Sequence, residues 1–183
     1  MTRRRIAWIA LVAFVLLVAG VGLAAAAPRG GPGYVSVPGP AFQPKFPSTA
    51  FEYFGMQVRT TSGTGHYVAP VSLPHGATLN EVTILGYDSS PAQSFEVIFY
   101  RAHGGRGFLE EICRAKSAYW GGDFEVNVAP EAQRALVDND TYGYFITLEL
   151  PAPATTQQGL ALTRVRFGYS YPSNVPLLSR NAP

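Results

Sequence analysis

Period-two alternation of apolar and polar residues is the strongest signal in the chain. In Val137–Leu150, VDNDTYGYFITLEL, a polar turn at Asp138-Asn139-Asp140 leads into a run with Tyr142, Tyr144, Ile146, Leu148 and Leu150 on one face. Thr141, Gly143, Phe145, Thr147 and Glu149 fall on the other face. That pattern predicts a half-buried β-strand, because successive side chains on a strand point to opposite sides. It is the longest and most aromatic strand legible in the chain, and it is expected at the centre of the domain. Phe51–Arg59 reads as a first core strand and His66–Leu73 as a second, with Pro70 confining the latter to an edge or a bulge. Leu79–Tyr87 places Asn80, Val82 and Ile84 on one face and Glu81 and Thr83 on the other. Phe95–Arg101, Phe108–Ala115, Gly122–Val128 and Leu160–Tyr171 read as further strands, the last with Val165, Phe167, Tyr169 and Tyr171 together and Arg164 and Arg166 opposite. Thr60–Gly65, Pro74-His75-Gly76, Asp88–Pro91, His103–Gly107 and Ser117–Gly121 carry turn chemistry. Within the globular part only Pro130–Leu136 reads as helical, for a turn or two, with Pro130 suited to a first helical position.

Strands at spacings of ~8–12 residues with Gly/Pro/Asn/Asp punctuation predict an all-β fold, an antiparallel β-sandwich of jelly-roll-like or Ig-like type. The domain is expected over residues 51–171, preceded by an N-terminal apolar helix and a Pro/Gly-rich linker and succeeded by a tail at 172–183. Aromatic residues are 13% of the chain. Each removes ~150–250 Å² from water when buried, which lets a domain of ~120 residues cohere without disulfides.

Residues 1–27 set the expected location. Met1–Arg5 is basic, Ile6–Leu23 is apolar apart from Gly20 and Gly22, and Ala24-Ala25-Ala26 offers small residues for cleavage. A cleaved signal peptide fits the order of these features; a retained signal anchor fits the length, which approaches the ~20 residues that span a bilayer. Ile6, Leu11, Phe14 and Leu17 belong to this segment under either reading. Both keep the Arg cluster on the cytoplasmic side and export the rest of the chain, to the periplasm or beyond the cell. Membrane contact is expected only through this segment. Residues 28–50 contain Pro28, Pro32, Pro38, Pro40, Pro44 and Pro47 and read as a tether. Within it Tyr34–Val37 suits a short edge strand, and Phe42 and Phe46 are candidates to dock on the domain.

Charge narrows the partners. The net is +2, but without Arg3, Arg4 and Arg5 the remaining 11 basic residues face 12 acidic ones, a net of −1. With no basic run, a nucleic-acid role has no footing.

The stretch Pro70–Asp88, PVSLPHGATLNEVTILGYD, together with DNDTYGYFITLEL and RVRFGYSY, resembles a β-sandwich domain of uncharacterised exported bacterial proteins. In these a strand ends at Leu-Pro-x-Gly-Ala and the next finishes aromatic-Asp. The resemblance covers most of Tyr67–Tyr171 and implies no catalytic residues.

Most chemistries lack their residues. There is no G-x-S-x-G elbow. Cys113 stands alone, so no intrachain disulfide forms. It reads as a small buried side chain, with pairing between chains as the alternative. His66, His75 and His103 are widely spaced and lack zinc-ligand spacing. Glu110 and Glu111 are neighbours that a strand would point to opposite faces, which is unsuited to glycosidase chemistry. Gly104-Gly105-Arg106-Gly107 precedes a strand and not a helix, so it is a hairpin tip and not a phosphate cradle. Asp138 and Asp140 offer calcium-type oxygen ligands, with Asp88 a further ligand if the fold joins the loops; an Asx turn is the plainer account. Tyr119 and Trp120, beside Gly121-Gly122, form the candidate ligand surface, for a sugar ring or a protein hot spot; the plainer account is a Trp120 that caps the core. The expectation is therefore a non-enzymatic extracytoplasmic protein of the cell envelope that acts by binding or assembly, with an envelope protein or glycan as partner and no cofactor. The alternatives are a carbohydrate-binding module and a membrane-anchored accessory subunit of a larger complex.

Overall fold

The computed structural model describes residues 31–118, 120–154 and 159–171 and realises the alternation as eleven strands. They are β1 (Gly33–Pro38), β2 (Gln43–Pro44), β3 (Ala50–Phe54), β4 (Gln57–Ser62), β5 (Thr64–Pro70), β6 (Thr78–Asp88), β7 (Glu96–His103), β8 (Leu109–Lys116), β9 (Gly122–Val128), β10 (Tyr142–Pro151) and β11 (Leu160–Ser170). Single 3₁₀ turns lie at Gly39–Ala41 and Ala132–Arg134, the second within the expected helical piece.

One sheet runs β3-β4-β11-β6-β9, with β1 also pairing β11; the other runs β2-β5-β10-β7-β8. Every ladder between these strands is antiparallel. The chain is therefore the expected two-sheet sandwich, and β10 occupies the centre of its sheet. The pairings are nested: β7 with β8, β6 with β9, β5 with β10, β4 with β11. One long hairpin with its tip between β7 and β8 is wound into two layers, the strand order of a jelly roll.

Where the strands differ from the alternation, a bulge or a turn is responsible. Asn80 is exposed, although the alternation sets it beside Val82 and Ile84. The β6–β11 ladder steps from Glu81–Gly168 to Leu79–Tyr169, and the unpaired residue reverses the faces, so Leu79 is buried instead. Phe51–Arg59 is not one strand but the β3–β4 hairpin, turning at Gly55. The turn expected over Thr60–Gly65 shrinks to Gly63, whose φ of 68° is left-handed. The stretch read as a tether supplies β1 and β2, and its Phe42 is fully buried. Its prolines are tolerated because each of these short strands is paired along one side only.

The core lies between the layers. Phe99 packs on Phe167 with ring centroids 4.6 Å apart, and Phe95 on Phe124 at 5.6 Å. Ile146, Leu148 and Leu150 of β10 face Leu160, Leu162 and Val165 of β11, all essentially inaccessible. Each such side chain contributes roughly 1.5–3 kcal/mol of burial.

Candidate functional site

The outer face of the β2-β5-β10-β7-β8 sheet departs from ordinary sandwich patterning. An outward face is normally polar. Here Val68, Ile98, Tyr100 and Phe145 point outward and are half-buried by one another. The ladder sets Phe145 opposite Tyr100 and Thr147 opposite Ile98. Tyr100 and Phe145 stack, with centroids 5.6 Å apart and planes 26° apart. Beside them lies a depression of about 250 Å³ lined by Tyr100, Ile98, Thr147, Leu109 and the polar groups Lys45, His66, Glu96 and Glu149.

That depression collects residues the linear sequence keeps apart. Glu149 sits opposite both Glu96 and His66 in the two ladders. Like charges directly opposite on adjacent strands repel. Arg114 at 3.1 Å and Lys116 at 3.6 Å offset the Glu96 charge, and His66 Nδ1 lies 3.9 Å from Glu149. The depression that Tyr100 lines thus also carries charges of both signs, Lys45 against Glu96 and Glu149. Sequence reading missed it because Phe145 was set on the face opposite the apolar one and Tyr100 was not singled out; the signal available was two aromatics on outward positions.

The positions singled out from sequence fall elsewhere. Trp120 does not cap the core but is 56% exposed, its ring parallel to Phe124 at 6.3 Å. Tyr119 and the segment containing Ile6, Leu11, Phe14 and Leu17 lie outside the described residues. Among the described residues no helix is long and apolar enough to cross a membrane. Asp138 and Asp140 come together with His75, their ligand atoms within 4.8 Å of one another. Asp138 Oδ1 accepts from Asp140 N at 3.1 Å and Thr141 N at 3.3 Å, an Asx turn, while His75 Nδ1 accepts from Asn139 N. Hydrogen bonding from Thr141, aided by the Asp140 N–H, holds the Asp138 carboxyl below its ordinary range. Asp88 does not join them. It ends β6 at the opposite end of the sandwich, while Ala135–Val137 bonds the start of β6.

Cys113 is half-buried and its thiol is pushed up to about 12 by burial, then by the Glu111 charge. No thiolate forms there near neutral pH. Glu110 and Glu111 take separate partners, Arg101 at 2.6 Å and Arg114 at 2.7 Å.

No family model and no curated protein matches this chain. Among solved structures it overlaps the C-terminal family 6 carbohydrate-binding module of a marine laminarinase from Zobellia galactanivorans, at TM-score 0.45 and 11% identity, covering 74% of this chain and 98% of that one. It overlaps a family 86 xylan-binding module from Roseburia intestinalis at TM-score 0.41 and 12% identity, covering 74% and 94%. A family two carbohydrate esterase from Cellvibrio japonicus gives 0.43 and 7%, covering 79% of this chain and 37% of that one. At this level the likenesses do not bear on what this chain binds.

Proposed function

We propose that this chain is a non-enzymatic binding module of the extracytoplasmic space that holds an oligosaccharide across the outer face of the β2-β5-β10-β7-β8 sheet. The stacked Tyr100–Phe145 platform beside a depression rimmed by Lys45, His66, Glu96 and Glu149 carries this reading. A pyranose presents a C–H face that packs on an aromatic ring and a girdle of hydroxyls that needs donors and acceptors around it. Ligand sites combine apolar walls with a few convergent polar groups in this way. Glu96 and Glu149 do not suit hydrolysis. They stand side by side on one sheet face, whereas a glycosidase sets its carboxylates on either side of the scissile bond. Export rests on the basic start and apolar run of residues 1–27.

The test is calorimetric titration of the full chain against a panel of neutral oligosaccharides. Removing a platform ring forfeits roughly 50 Å² of apolar contact, about 1.3 kcal/mol. Tyr100→Ala should therefore weaken binding about tenfold, with Trp120→Ala unchanged. Absence of binding across the panel, or loss in Trp120→Ala with Tyr100→Ala intact, overturns the assignment.

A further inference from the structure

Two oxygens, one at the end of β6 and one in the loop after it, are buried without a hydrogen-bond partner: Asp88 Oδ2 and Gln93 Oε1. Asp88 is completely inaccessible. Its other oxygen, Oδ1, accepts the Ser90 N–H at 3.0 Å. A carboxyl group has acceptor positions on both oxygens, so this one is only partly satisfied. Ser90 Oγ in turn accepts Gln93 N at 3.2 Å, so two consecutive side-chain turns fasten Asp88 and Gln93 into one small loop. Two other segments close over it. Trp120 N donates to the Asp88 carbonyl at 3.3 Å, and Ser89 exchanges hydrogen bonds with Gly159 through its N–H and its hydroxyl, each at 2.9 Å.

Buried polar oxygens without donors are costly unless something positive meets them. One carboxyl and one amide oxygen, with no sulfur or imidazole in the loop, form a hard donor set that suits calcium over zinc or copper. We propose that the Asp88–Gln93 loop holds a calcium-class cation through Asp88 Oδ2 and Gln93 Oε1, with backbone carbonyls and water completing the shell. The cation would fasten the segments bearing Trp120 and Gly159 to the end of β6. This site is independent of the sheet-face reading. It is also distinct from the His75, Asp138 and Asp140 cluster, since β6 has 11 residues and its two ends are roughly 33 Å apart.

The experiment uses the full chain stripped with EDTA and titrated with calcium, with thermal melting and terbium luminescence sensitised through tryptophan as the two readouts. Saturating calcium should raise the melting temperature by roughly 5 °C. Terbium emission should appear and be displaced by calcium. Asp88→Asn should abolish both effects, Gln93→Leu should weaken calcium binding about tenfold, and Asp138→Asn should change neither. If Asp88→Asn does not fold, undiminished calcium affinity in Gln93→Leu overturns the proposal. So does a wild-type chain indifferent to calcium and terbium, or an effect lost in Asp138→Asn and kept in Asp88→Asn.

Discussion

Tyr67→Phe probes the polar tie between the two sheets. Thr60 Oγ1, on β4, donates to the Leu150 carbonyl of β10 at 2.7 Å. With its proton committed there, it accepts from the Tyr67 hydroxyl at 2.7 Å. Both side chains are 1% exposed. Removing the phenol oxygen deletes one buried hydrogen bond and leaves the Thr60–Leu150 bond in place, so the expected loss is about 1 kcal/mol at neutral pH. For a domain of this size that is a fall in melting temperature of roughly 4 °C.

The alkaline limb gives the same substitution a second signature. Burial raises the Tyr67 pKa above its ordinary value, partly offset by the bond to Thr60. A group raised in the folded state contributes stability below its unfolded pKa, here ~10, and loses it as pH climbs toward the folded value. In that window wild type should shed up to about 1.4 kcal/mol per pH unit on account of Tyr67. Tyr144, also raised by burial, adds to the slope in both proteins. Tyr67→Phe should be less stable at neutral pH, and the gap to wild type should narrow as pH rises past the unfolded pKa. Urea unfolding across neutral and alkaline pH, monitored by circular dichroism, measures both. A variant as stable as wild type at neutral pH, or a difference that stays constant through the alkaline window, refutes the reasoning.

Gly65→Ala should disturb the same tie, because its Cβ would lie 2.5 Å from Thr60 Oγ1 and from the Tyr67 ring. The expected cost is about 1–3 kcal/mol by urea midpoint. Cys113 should resist iodoacetamide at mildly alkaline pH and react fully in denaturant, as read by intact mass, since its pKa is pushed up to about 12. Rapid alkylation of the folded chain would contradict that burial. Glu110→Gln should cost about 1 kcal/mol, because Glu110 pairs with an Arg101 whose side chain is 13% exposed and lies over Tyr142 at 4.3 Å. Arg114→Ala, at an exposed pair, should leave the melting temperature unchanged.

Alternation was enough to locate most strands and to put β10 in the middle, because a half-buried strand writes its two faces directly into its residues. The turns were legible wherever Gly, Pro, Asn or Asp clustered. The misread strand faces and boundaries share one cause. A bulge such as the one at Asn80, or a hairpin turn as short as Gly55, shifts the period by a residue, and the compositional signal is too local to register it. The stretch 28–50 looked like a spacer because proline breaks regular structure, yet a strand paired on one side accommodates it, and Phe42 has a place in the core to fill.

The candidate sites separate along the same line. Trp120 and the Asp138–Asp140 turn were visible because their residues are neighbours in the chain. The sheet-face depression was not, because Lys45, His66, Glu96, Tyr100 and Glu149 meet only once the nested hairpin is wound and cross-strand register is set. The orphaned oxygens of Asp88 and Gln93 were equally hidden, since burial of a polar atom depends on what folds over it and not on its own identity. Side-chain order along the chain specifies strands and turns through local backbone preferences. Which faces meet, and which charges are left without water, is settled by contacts between residues tens of positions apart.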